Sequence, residues 1–150
     1  MKKIILFKLM LFFCFVGYSQ NTESTILKES DFKVMGDDVK FFKKDIYVIA
    51  GNEKKILCPF AYSSTLNEFK GIGVEKINSM LATSYIKPMF KMKNRFTYTP
   101  VSIFIYFSDK NNEWVSVIEY TAQNDYGALK NGRYYVSFEK DGEFKNLISM

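Results

Sequence analysis

The chain has no histidine among its 150 residues. That removes Ser-His and Cys-His catalysis, imidazole metal ligation and the simplest charge switch near neutral pH. Cysteine is nearly absent too. Cys14 and Cys58 are the only two, too few for a disulfide framework or a four-cysteine zinc site. The longest apolar stretch, Ile4 to Val16, is broken by Lys8 and falls well short of the roughly 20 residues that span a bilayer. No block of five or six like charges occurs. Against these absences stand a hydrophobic fraction of 47% and an aromatic fraction of 17%. Such a composition buries enough apolar surface to fold, and the length suits one domain.

Lys2 and Lys3 precede the apolar stretch, and Gly17-Tyr18-Ser19 follows it, with small residues two apart ahead of Gln20. Basic, apolar, then small is the order of a secretory signal peptide. We expect residues 1–19 to be such a peptide, cleaved after Ser19, and the protein to be exported to the periplasm or beyond, with no transmembrane segment left after cleavage. The alternative address is a lipid or membrane anchor at the N-terminus. For lipidation, Phe13 stands before Cys14 where a lipoprotein signal carries a small residue. Losing Lys2, Lys3 and Lys8 leaves 18 of the 21 basic residues against 16 acidic ones, so the net charge falls from +5 to +2. No concentrated basic face remains, which argues against nucleic acid as a partner.

Residues 20–30 are polar apart from Ile26-Leu27 and read as a flexible N-terminal segment ahead of a single domain over 31–150. Short strand-like pieces follow: Phe32–Val34, a turn at Gly36-Asp37-Asp38, Val39–Phe42, then Ile46–Ile49 and Lys55–Phe60 as a hairpin around Gly51-Asn52-Glu53. Ile56, Cys58 and Phe60 share a face by period two, which predicts a buried Cys58 thiol. Pro59 has no amide proton, so its strand should be an edge or bulge there. Thr65 and Glu68 have capping-box spacing, and Gly71 and Gly73 form a joint before the clearest helix. In that helix Val74, Ile77, Leu81 and Tyr85 lie on one stripe, and Pro88 predicts its end near Ile86 or Lys87. Three strands close the chain, Val101–Phe107, Trp114–Ala122 and Arg133–Phe138, with breaks at Asp109–Asn112, Asn124–Gly127 and Asp141-Gly142. Both faces of Val101–Phe107 are apolar. One can meet the helix; the other must meet the N-terminal strands or a partner. The expected fold is α+β: N-terminal β-hairpins and one amphipathic helix packed on a three-stranded antiparallel sheet.

The segment Tyr85-Ile86-Lys87-Pro88-Met89-Phe90-Lys91, with Phe96 beyond it, and Tyr120-Thr121-Ala122-Gln123-Asn124-Asp125-Tyr126-Gly127 together resemble two motifs of an uncharacterised small exported bacterial domain. Those motifs are a Leu-Lys-x-Pro-x-Ser-Phe-like segment after a helix and an Ala-Lys-Asn-Ser-Tyr-Gly-like segment before the last strand. Lys93 and Arg95 replace the first motif's Pro and Ser. The overlap runs from about Val74 to Phe144. The resemblance implies a helix followed by three strands, and it implies no activity.

No catalytic constellation, metal ligand set or cofactor motif emerges. Asp37-Asp38 read as turn residues. Asp109, Asn111 and Glu113 lack the length, central Gly and final Glu of a calcium loop. Gly71-Ile72-Gly73 lacks the third Gly and the Lys of a phosphate cradle. The aromatic content is the positive feature: 21 of 26 aromatic residues remain in the 131 that follow the signal. Many must fill the core. Tyr106, Trp114, Tyr126, Tyr134 and Tyr135 are the candidates for an exposed patch that meets a protein, peptide or glycan. The function expected from the sequence is therefore a non-catalytic, exported binding module, with a small enzyme inhibitor or enzyme of the cell envelope as the alternative.

Overall fold

In a computed structural model, residues 24–36 and 38–150 are described. The expected signal peptide, Gln20 and Asp37 lie outside them. The architecture is α+β: one helix lies on one face of a single seven-stranded sheet whose strands run in sequence order. The strands are β1 (Lys33–Met35), β2 (Val39–Ile49), β3 (Lys55–Thr65), β4 (Thr99–Ser108), β5 (Glu113–Gln123), β6 (Leu129–Phe138) and β7 (Phe144–Ser149). The helix α1 spans Leu66–Lys91 between β3 and β4. Neighbouring strands are antiparallel except β3 and β4, which pair in parallel over Phe60–Ser63 and Ile103–Tyr106. A parallel pair needs a long crossover, and α1 supplies it.

The expected three-stranded sheet is thus the C-terminal part of a larger one. The N-terminal strands extend it in its own plane instead of stacking as a second layer. The two short strands expected over Val39–Phe42 and Ile46–Ile49 are one strand, β2, because Lys43, Lys44 and Asp45 are exposed and solvated without leaving the ladder. Pro59 is consistent with its missing amide: β3 pairs with β2 on one side throughout, and the ladder to β4 begins only at Phe60.

In α1, Thr65 is the N-cap and accepts the Glu68 amide at 3.1 Å. Gly73 breaks the helix in two, with φ 75° and ψ 155°, a backbone region open to glycine almost alone. The expected joint is therefore a kink inside the helix. Ile77, Leu81 and Tyr85 are buried along the expected stripe, joined by Met80, Ser84 and Pro88. The helix passes Pro88 by one turn and stops at Lys91, with the Pro88 ring buried.

The core lies between α1 and the inner face of the sheet. Ile77, Met80 and Leu81 meet Phe60, Ile103, Ile105, Ile118 and Val136. Toward the start of α1 the filling is aromatic: Phe32 and Phe69 rings lie 5.0 Å apart, and Tyr62 stacks on Trp114 at 5.8 Å. At the opposite end of β3 Cys58 is fully buried, and burial, aided by the charge of Asp45, pushes its thiol up to about 12. Part of the stretch expected to be flexible is tied down. Leu27 is buried, its amide donates to Asn78 Oδ1 at 2.8 Å, and Asn78 Nδ2 donates back to its carbonyl at 2.9 Å. Among the described residues, no helix is long and apolar enough to cross a membrane.

Candidate functional site on the outer sheet face

The register decides which side chains share the face turned away from α1. Ala61, Phe104, Val117, Tyr135 and Ile148 stand opposite one another across β3 to β7. A second row holds Phe41, Ser63, Tyr106, Val115 and Ser137. Since Ile103, Ile105 and Phe107 point to the helix, period two sends Phe104 and Tyr106 outward. Their rings stack at 5.1 Å with 27° between planes, and Phe104 remains 39% exposed. Among the described residues, nothing covers this stripe.

Shallow grooves flank the Phe104 ring. One of about 560 Å³ lies against Lys43, Asp45, Pro59, Ala61 and Ser102, where β3 and β4 have not yet paired. Another of about 350 Å³ lies against Val39, Ser63, Tyr106 and Asp109. Below the stripe, Glu119 accepts from Ser102 Oγ at 3.0 Å and pairs with Arg133 at 2.5 Å. The Arg133 guanidinium, helped by Ser102, holds the Glu119 carboxyl below the usual range. The face is an apolar, aromatic centre with charges of both signs at its margin, the composition of a recognition surface.

The five aromatic candidates divide among three places. Tyr106 and Tyr135 are on the outer face, half-buried by their neighbours. Trp114 and Tyr134 belong to the inner face, 1% and 8% exposed. Trp114 donates its indole N–H to the Lys140 carbonyl at 3.1 Å, and Tyr134 stacks on Tyr120 at 5.3 Å. Adjacent residues of a strand face opposite ways, so Tyr134 and Tyr135 were never able to share a surface. Tyr126 stands apart at the β5–β6 turn, 94% exposed. That turn is built by Asn124, whose Oδ1 accepts the amides of Tyr126 and Ala128, each at 3.0 Å, and by Gly127 at φ 76°. Phe104 was missed by the sequence reading. The alternation of Phe104 and Tyr106 against Ile103 and Ile105 was a signal able to find it.

At the β4–β5 turn the polar side chains hold the turn and its neighbour. Glu113 pairs with Lys145 at 3.0 Å, and Asn111 bonds Glu113 across the β4–β5 turn. No group of three or more metal-capable side chains is gathered among the described residues. No protein-family model, curated protein or solved structure was found that matches the chain.

Proposed function

We propose that this protein is an exported, non-catalytic module that binds a protein, peptide or glycan through the outer face of its sheet. The observation that supports this reading is the uncovered stripe of Phe104, Tyr106, Val117, Tyr135 and Ile148. An apolar strand face costs free energy in water and is otherwise covered by a second layer. The pattern of residues 1–19 supports export, with removal after Ser19. The absence of histidine removes the commonest general base and favours binding over catalysis.

The test is affinity capture from the producing cell's envelope and secreted fraction with three forms of the domain beginning at Gln20. Wild type and Tyr126→Ala should retain one stoichiometric partner, while Phe104→Lys/Tyr135→Lys should lose it at an unchanged melting temperature. Retention of the partner by the double variant sinks the outer-face reading. If the captured partner is an enzyme that loses activity when bound, the module is an inhibitor acting through the same face. Mass spectrometry of the exported protein should find Gln20 at its N-terminus; an intact Met1 or a lipid on Cys14 would overturn the processing step.

A further inference from the structure

A separate cleft opens where the first segment of α1 parts from the sheet. It measures about 470 Å³ and is walled by Glu68, Gly71 and Ile72 on the helix side and Phe107, Trp114 and Lys140 on the sheet side. Phe107, edge to face with the buried Trp114 at 5.0 Å, supplies the aromatic floor. The polar wall is acidic. Glu68 is held by its cap, one carboxylate oxygen accepting the Thr65 hydroxyl at 3.0 Å. Asp141 adds a second carboxylate to the lining.

Lys140 already shows what this arrangement attracts. Its ammonium lies 5.8 Å from the Phe107 ring centre and 3.9 Å from the other oxygen of Glu68. Yet its side chain is 64% exposed, against 17% for Glu68, so it enters from solvent and is held only at its tip. A ring face and a fixed carboxylate converging on one point form an ammonium position. Ile72 forms the apolar wall beside it, with Trp114 buried behind the Phe107 ring.

We propose that this cleft is a binding site for a primary ammonium group on an apolar stem, with Lys140 as its tethered occupant in the free protein. The ligand's ammonium takes the place of the Lys140 ammonium between Glu68 and Phe107, and its stem lies against Ile72 and the Phe107 ring, above the buried Trp114. Displacing Lys140 leaves the Glu68 carboxylate facing the incoming cation, so the charges are complementary. Two sources share this chemistry, a small aliphatic amine and the lysine side chain of a peptide. The site is on the inner, helix side of the sheet and does not depend on the outer-face reading.

Trp114 is the only tryptophan in the chain, so its emission reports on this cleft alone. The probes are n-hexylamine, its neutral counterpart 1-hexanol, and acetyl-lysine methylamide, each titrated at pH 7 into the folded domain. Hexylammonium should change the Trp114 emission saturably, and 1-hexanol should not at the same concentrations. Lys140→Ala should tighten hexylammonium binding on the order of fivefold by removing the internal competitor. Glu68→Gln should weaken it by at least about as much. Glutamine still completes a capping box, so this variant keeps the helix start, which its melting temperature will verify. Tighter binding of the lysine amide than of hexylamine would identify a peptide side chain as the ligand; the reverse would identify a small amine. Equal responses to hexylamine and 1-hexanol, no saturation in either wild type or Lys140→Ala, or unchanged affinity in Lys140→Ala would overturn the proposal.

Discussion

The two faces of the sheet are made from similar residues, yet one is a core and the other a surface. On β4, Ile103 and Ile105 are buried under α1, while Phe104 between them is in part exposed on the far side. On β6, Val136 is fully buried beside a half-buried Tyr135. Hydrophobicity alone does not separate these neighbours. Coverage does, and coverage follows from a single helix that shields one face only. An apolar residue on the helix side gains burial and packing; one on the open side gains them only when something docks.

Substitutions on the two faces should therefore have opposite signatures. The largest loss is expected from Trp114→Ala, which removes a fully packed indole and orphans the Lys140 carbonyl, at a cost of ~3–5 kcal/mol in denaturant unfolding. Phe104→Ala should cost less than about 1 kcal/mol in the same experiment, because its ring is already wet. Equal losses would erase the distinction between the faces.

Next in size is Gly73→Ala, which tests what the inner face demands of the helix. A Cβ there meets no atom within 4 Å, so any loss comes from backbone strain at φ 75° and not from a clash. We expect about 1–3 kcal/mol. No change in stability would mean that the Leu66–Ile72 segment realigns freely and that the kink is not required by packing.

The smallest effect at neutral pH belongs to Cys58, and it grows with alkali. Its folded-state pKa of about 12 exceeds the ordinary value of 9.0, so the unfolded chain loses this proton first. The contribution is complete below pH 9 and is lost as pH rises from there toward 12. Tyr62 and Tyr98, whose hydroxyls burial also pushes up, add to the same alkaline limb. Melting temperature against pH should accordingly fall less steeply above pH 9 in Cys58→Ala than in wild type. A maleimide should label Cys58 only after denaturation; rapid labelling of the native protein would contradict its burial.

Local features were legible where one short stretch of chain carried the whole cause. The Ile77-Leu81-Tyr85 stripe, the Thr65 cap, the Asn124–Gly127 turn and the phase of Cys58 each follow from periodicity or turn chemistry within a few residues. Pro88 was misleading by one turn, because its ring is buried and packing offsets the missing hydrogen bond. Trp114 and Tyr134 were grouped with Tyr106 and Tyr135 because composition marks a residue as aromatic without saying which face it takes. The Phe104 surface was half legible: the two apolar faces of β4 were evident, and what stood against the second was not.

The sequence by itself determined the stripe of the helix, the turns and the alternation along the strands it marked, since these depend on neighbours along the chain; β7 (Phe144–Ser149) and the continuity of β2 it did not. Only the tertiary structure decided that β3 pairs in parallel with β4, that both halves share one sheet, and that the N-terminal strands extend this sheet instead of covering it. Those outcomes depend on residues more than forty positions apart, such as Ala61 and Phe104, whose pairing no local pattern encodes. The open face and the acidic aromatic cleft at the start of α1 both arise from that pairing, because it sets where the single helix lies and what it leaves uncovered.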